Sequence, residues 1–204
     1  INDPTVPGIA YQLEEFWKGW EDLAAEYLKP VASQNLTAVN NRIFAAAKNL
    51  TEMVRVKASS LNTMQIDLNS AVNTTVNQIN SYLKEIASYN SIIMKTQGTG
   101  QVPNDIFDKR ELAVQNLSKL VNISVAESSD GAQIIMISGI DAVSGGYYKT
   151  LNTIKGNSKS GMDDVAIGTY NITENITSGK LAGLFEARDV VVQQALTDLD
   201  VLAS

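Results

Sequence analysis

The sequence contains neither cysteine nor histidine. Those absences exclude thiolate nucleophiles, disulfides, histidine general bases and nearly every zinc or copper site built from side chains. Aromatic residues make up only 6% of the chain, so a core has to be assembled from aliphatic and alanine side chains, a composition that suits helix packing. No apolar run reaches the roughly 18–20 residues needed to span a bilayer, and no basic, apolar signal segment opens the chain, so no membrane association is expected. Cationic charge is also scarce. The 16 Lys+Arg against 22 Asp+Glu give a net charge of −6, which leaves no electrostatic footprint for nucleic acid. Residues 1–100 carry 8 basic and 9 acidic groups and residues 101–204 carry 8 and 13, so the acidity sits in the second half. The chain opens on Ile rather than Met and its last helical pattern is unfinished, so a fragment of a longer parent is expected. Missing thiols suit a protein exported unfolded and assembled outside the cell.

What is present is helical periodicity. Over 8–28, Leu13, Phe16, Trp17, Trp20, Leu23 and Tyr27 recur three and four apart between charged residues, which predicts an amphipathic helix with Trp17 and Trp20 as core anchors. Pro30 interrupts it. From 39 to 97 there is neither Gly nor Pro, and the same spacing runs through Leu61, Leu68, Val72, Val76, Ile79, Leu83, Ile86 and Ile93. That pattern is a long coiled-coil-type helix, with Asn90 in the seam where a polar residue fixes register. Its polar surface is unusual: between 58 and 82 only Asp67 is charged, and asparagines fill positions where an exposed helix carries Glu and Lys. Charge depletion marks interface cores, which makes Asn62, Asn69, Asn73 and Asn77 candidate subunit contacts; the alternative is an Asn-rich face covered by the chain's own domain.

A third helix is expected over 104–120, capped by Asn104 or Asp105 and folded back on the second. Alternating apolar residues around Val121, Ile123 and Val125, a turn, and 133–138 read as a β-hairpin; 147–154 and 165–172 are weaker strands flanking a polar, mobile run over 156–164. The last helix, 180–203, places Leu181, Leu184, Arg188, Val191 and Ala195 on one stripe. No internal repeat is evident. The fold class is therefore mainly α with some β (α+β): an elongated antiparallel helical rod or coiled-coil bundle with a small β-hairpin subdomain. One rod-like domain spans 1–204, with helices at about 8–28, 39–97, 104–120 and 180–203 and the β part at about 121–178.

The densest charged cluster, Asp105, Asp108, Lys109, Arg110 and Glu111, has the spacing of an acid/base pair or a hard-cation site on one helix face. Without a histidine or a glycine-rich phosphate loop, it reads instead as a helix cap with ion pairs. No catalytic, cofactor-binding or metal-binding residue is expected, and the chain does not read as an enzyme.

The string Pro103-Asn104-Asp105-Ile106-Phe107-Asp108-Lys109-Arg110-Glu111 resembles the P-N-D-L-L-D-Q-R-D segment of the bacterial flagellar hook-associated protein 1 family, the first hook-filament junction protein. Asn104, Asp105, Asp108 and Arg110 match it directly. The run from Ser178 through Gly183 to Arg188 and Asp189 is similar to the start of that family's return helix, and the opening Phe16-Trp17 helix and the Gln78 to Asn90 stretch agree in order. The polar stretch over 27–41 departs from it. The resemblance implies a secreted structural protein of the bacterial flagellum, lacking its terminal arms here. It would assemble as a ring of copies between the hook protein and the second junction protein, with an export chaperone acting through the missing terminal regions. Other axial or surface proteins, namely flagellin, the second junction protein or a coiled-coil adhesin stalk, would share the helices but not the Asn104 to Arg110 string.

Overall fold

A computed structural model describes residues 8–97, 104–156 and 161–203. Five α-helices occur in these residues: α1 (Ile9–Tyr27), α2 (Leu36–Gln97), α3 (Asn104–Leu120), α4 (Gly179–Phe185) and α5 (Val192–Ala203), the last two joined by a π-helical turn, Glu186–Val191. Seven strands form two antiparallel meanders where the sequence predicts a hairpin and two weaker strands, 147–154 and 165–172. β1 (Ser124–Glu127), β2 (Gln133–Ile137), β3 (Ile140–Ser144) and β4 (Tyr147–Tyr148) make the first, and β5 (Leu151–Lys155), β6 (Asp163–Ile167) and β7 (Tyr170–Asn171) the second. Part of the polar run expected to be a mobile loop, 157–160, lies outside the described residues.

The chain divides into two compact units, Met64–Gln194 and Ile1–Thr63 with Ala195–Ser204. The larger unit holds almost all of the core. Val72, Val76, Ile79, Leu83, Ile86 and Ile93 of α2 are buried at helical spacing, as the absence of Gly and Pro over this stretch allows. All of them except Ile93 share one core cluster with Leu117 of α3, Ile135 and Ile137 of the first sheet, Val165 and Ile167 of the second, and Leu181 of α4. α3 runs antiparallel to α2: Arg110, near its start, bonds Asn90, whereas Asn116 and Leu120, near its end, share a shallow groove with Gln78 and Ser81.

Turn chemistry sets the register of the first sheet. Ser138 and Gly139 join β2 to β3 with φ of 53° and 76°, the double left-handed conformation whose twist matches that of a hairpin. Val121 is not in a strand as expected. Its amide still donates to the Leu117 carbonyl at 3.1 Å, so it extends the end of α3 and is buried there, and β1 begins at Ser124. At the other end, α3 begins with Asn104 itself, which places Asp105 in the first turn instead of at the cap.

The stripe of the return helix is also out of phase with expectation. Leu181, Phe185, Arg188 and Val192 are buried, whereas Val191 is 60% exposed. The wider π turn advances each residue by a smaller angle, so Val192 arrives where an uninterrupted α-helix was expected to point Val191.

In the smaller unit, Val39 and Ile43 are the buried apolar residues among those described. The Glu26 carboxylate accepts from Lys29 Nζ at 2.7 Å and from the Asn35 amide at 2.6 Å, tying the end of α1 to the start of α2. These two bonds, Lys29 foremost, hold its pKa below the ordinary carboxylate value. The tie is therefore in force above that ordinary value and is lost as pH falls through the lowered one.

Two glycines of the return segment separate backbone necessity from convenience. Gly179 has φ of +83°, and a Cβ there would lie 2.7 Å from the Leu120–Val121 peptide, whereas nothing lies within 4 Å of one at Gly183. Gly179→Ala is expected to cost about 2–4 kcal/mol through the left-handed backbone and the clash. Gly183→Ala is expected to be neutral or to stabilise by up to about 1 kcal/mol. Urea denaturation of the two variants gives the comparison, and equal midpoints would contradict the packing described.

Candidate functional site

Asn69, Asn80 and Asn90 stand 11 and 10 residues apart on α2, close to three helical turns each, so they share a face. All three turn their amides toward the start of a strand. Asn80 Nδ2 donates to the Leu151 carbonyl and Asn80 Oδ1 accepts the Leu151 amide, both at 2.8 Å. Asn90 does the same at Gln133, donating at 2.8 Å and accepting at 3.0 Å, and also donates to the Gly145 carbonyl at 3.0 Å. Asn69 accepts the Asp163 amide at 3.1 Å and donates to the Asp163 carboxylate at 3.0 Å. A side-chain amide carries the same donor and acceptor as a peptide group, so Asn80 and Asn90 stand in for a neighbouring strand with both groups and Asn69 with its oxygen alone.

Two buried arginines complete the outer ties. Arg110 Nη1 donates to Asn90 Oδ1 at 3.0 Å and to the Gly131 carbonyl at 2.7 Å. Arg188 Nη1 donates to Asn69 Oδ1 at 2.7 Å and to the Asp163 carbonyl at 2.9 Å. The arrangement is the same at both ends: one guanidinium nitrogen joins an asparagine oxygen on α2 to a carbonyl in or beside a sheet. Each guanidinium also lies 5.1 Å from the ring of the phenylalanine three residues earlier, Phe107 or Phe185. The two differ in their counter-charge. Arg188 is fully buried and held by both carboxylate oxygens of Asp189 at 2.8 Å. Burial pushes the Arg110 guanidinium below its ordinary value, while the charges of Glu127 and Glu111 pull it back up.

The matching geometry exposes a repeat that the sequence reading missed. Ile106-Phe107-Asp108-Lys109-Arg110-Glu111-Leu112 and Leu184-Phe185-Glu186-Ala187-Arg188-Asp189-Val190 share the order apolar, Phe, acid, any, Arg, acid, apolar. Two copies of seven residues in a chain of 204 were the available signal. The roles of Asn80 and Asp163 left no comparable trace, because each joins a side-chain amide to a backbone group more than 70 residues away in sequence.

The named sequence candidates fall into separate groups. Asn69 and Asn73 are half-buried beneath the chain's own second sheet, where Asn73 Oδ1 accepts from Thr153 at 2.7 Å, so their polar groups are already engaged within the chain; Asn62 and Asn77 are exposed. Asn104, Asp105 and Asp108 are exposed, and Asp105 is 3.5 Å from Lys109 in a solvated pair. Gly183 is exposed, Asp189 is half-buried against Arg188, and Arg110 and Arg188 are interior. Trp17 and Trp20, expected as core anchors, are 59% and 47% exposed, because α1 turns its other face to α2.

Chemically the arrangement binds the chain to itself. An open groove of about 670 Å3 beside α4 is lined by Asp164, Asn171, Glu174, Phe185 and Asp189. Within it, Asp189 is held by Arg188 and Asp164 accepts from Asn171 at 2.9 Å. Among the described residues no group of three His, Cys, Asp or Glu side chains is placed to hold a metal ion, and no helix is long and apolar enough to cross a membrane.

Comparison with known proteins gives a consistent result. The family model for the flagellar hook-associated protein FlgK helical domain matches residues 1–204. Flagellar hook-associated protein 1 of Escherichia coli K12 is 26% identical over 204 residues, and that of Salmonella typhimurium 28%; each match covers 96% of this chain and 36% of the relative. The Bacillus subtilis protein of that name is 28% identical over 137 residues, covering 66% of this chain and 25% of the relative. The chain thus spans about a third of the length of the first two. The structure of the flagellar hook junction protein FlgK from Burkholderia pseudomallei superposes with a TM-score of 0.72 at 24% identity, covering 92% of this chain and 34% of that one, a likeness of fold.

The ties can be ranked by substitution. Arg188→Ala would remove a buried cation from the Asn69 oxygen, the Asp163 carbonyl and the half-buried Asp189 carboxylate, with an expected loss of about 3–5 kcal/mol. Arg188→Lys is expected to recover less than half of it, since an ammonium cannot reproduce the planar fork. Asp105→Ala, in the solvated pair, should stay within about 0.5 kcal/mol of the parent. Chemical denaturation measures all three, and an Arg188→Ala loss as small as that of Asp105→Ala would contradict the arrangement.

Proposed function

The chain belongs to the flagellar hook-associated protein FlgK helical-domain family, and from that premise we propose that it is a structural, non-enzymatic part of the junction between hook and filament of a bacterial flagellum. The observation that carries the proposal is the family match along the whole chain. The interior supports it. A junction has to pass force between neighbours without shearing its own parts, and hydrogen bonds of fixed direction resist sliding better than apolar contact alone. In this reading the protein is exported through the flagellar apparatus with the help of a chaperone. It then assembles as a ring of copies, bounded by the hook protein on one side and the second junction protein on the other.

The uncharged surface of α2 then has two roles along its length. Asn69 and Asn73 serve the chain's own second sheet, and Asn62 and Asn77, which are exposed, are the positions left for a neighbouring subunit. The absence of charge at both kinds of site follows one rule, since a charged group is costly wherever it is to be covered.

In a motile strain whose own copy is replaced by the variant, Asn77→Glu is expected to detach filaments and abolish swimming while helix content and unfolding midpoint remain those of the parent. Asn62→Glu is expected to act in the same direction. Asn69→Glu should instead lower the unfolding midpoint, because it drives a second carboxylate against Asp163. Normal swimming by the Asn62→Glu and Asn77→Glu strains would remove the lateral contact from the account. Normal swimming after deletion of the gene would remove the junction role itself.

A further inference from the structure

α1 carries two seams, each with the alternating three- and four-residue spacing of a coiled coil. Gln12, Glu15, Gly19, Asp22 and Glu26 form the first. This seam faces α2. Gly19 and Glu26 are buried, a Cβ at Gly19 would stand 3.0 Å from the Ile43 side chain, Asp22 pairs with Arg42 at 2.6 Å, and Gln12 and Glu15 line a common cavity with Arg42, Ala46 and Asn49.

The second seam is Ala10, Leu13, Trp17, Trp20, Ala24 and Tyr27, its centre rotated about 150° from that of the first at about 100° per residue. It points away from α2. Trp17, Trp20 and Tyr27 are 59%, 47% and 63% exposed, Ala10 and Ala24 are exposed, and the indoles touch only Phe16 among the aromatic rings described. The helix is thus inverted relative to an ordinary amphipathic helix, with its polar, close-approach face inside and its apolar face outside. Aromatic side chains supply most of the energy of protein interfaces, and a contiguous exposed row of them marks a contact site.

The flanks of the outer seam select its occupant. Glu14 and Glu21, both exposed and seven residues apart, border one edge, and the half-buried Phe16 and Leu23 border the other. A second copy packed antiparallel would bring glutamates against glutamates, and one packed parallel would bring them against Phe16 and Leu23; neither supplies a cation. We propose that this face docks an amphipathic helix of a separate protein, whose apolar seam covers Trp17 and Trp20 and whose edge carries Lys or Arg at seven-residue spacing opposite Glu14 and Glu21.

Trp17 and Trp20 are the two tryptophans of the chain, so its indole fluorescence reports this face and nothing else. The probes are two synthetic helical peptides with Leu at the seam positions, one carrying Lys along its edge and one carrying Glu. The 204-residue chain alone is expected to emit as solvated indole and to be quenched by acrylamide. Titration with the Lys peptide should shift the emission to the blue and protect it from the quencher, with an affinity at least about tenfold above that for the Glu peptide. The Glu14→Lys/Glu21→Lys variant, changed only at exposed positions, should reverse that order. Indoles already shielded in the monomeric chain would overturn the proposal. Equal affinity for both peptides would do the same, as would a blue shift that grows with chain concentration in the absence of peptide, which would assign the face to a second copy.

Discussion

The larger unit depends on a substitution of side-chain amide for strand backbone. Two small antiparallel sheets cannot satisfy the ends of their own strands, and a buried peptide group left unpaired costs about 1–3 kcal/mol. At Gln133, Leu151 and Asp163 the missing neighbour is an asparagine of α2, which offers a donor and an acceptor on a short, neutral side chain. A charged side chain in the same place would need its own compensation, and a serine would offer a shorter reach with no planar pair of groups. The arginines then use the remaining lone pair of Asn69 and Asn90, so that the helices carrying them are joined to both α2 and a sheet through a single nitrogen each. Helix packing, sheet position and the phase of the return segment meet at these groups.

Much of this architecture was legible in the sequence, for reasons that are local. An unbroken stretch without Gly or Pro, a three-four apolar period and a turn rich in Ser, Asp and Gly act on their own neighbourhood, and α2, α3 and the β1–β2 hairpin follow from them. The helix face rich in asparagine was legible as an anomaly, but its use was not. A periodicity says which residues share a face and is silent on whether another subunit or the chain's own sheet covers it; the contacts of Asn69 and Asn73 are more than 75 residues distant. The π turn was hidden for a related reason: its effect is a change of phase, and the sequence offers apolar residues at both Val191 and Val192. Arg110 and Arg188 were singled out by resemblance, whereas the physical reason for them, a cation that closes an asparagine tie, needs the fold.

The smaller unit obeys a different constraint. Its first helix places Gly19 where two helices approach closely, and that approach obliges the polar seam to face inward. The indoles are thereby left outside, where the ordinary reading of an amphipathic pattern would not put them. Side-chain volume decided the orientation here ahead of hydrophobicity, since a seam bearing two tryptophans could not come so near to Ile43. A protein that assembles with others has a use for such an inversion, because it keeps apolar area in reserve for a contact made after folding.

Amide hydrogen exchange at Leu151 tests the central claim most directly. Its N–H donates to Asn80 Oδ1 at 2.8 Å, one of the two hydrogen bonds by which Asn80 of α2 grips the start of the second sheet there. In the parent protein this amide should exchange as slowly as the core of β6. In Asn80→Ala it should lose that protection while the Gln133 amide, which Asn90 holds, keeps its own. Unchanged protection of Leu151 in Asn80→Ala would show that the sheet is positioned without the asparagine, and would contradict the account.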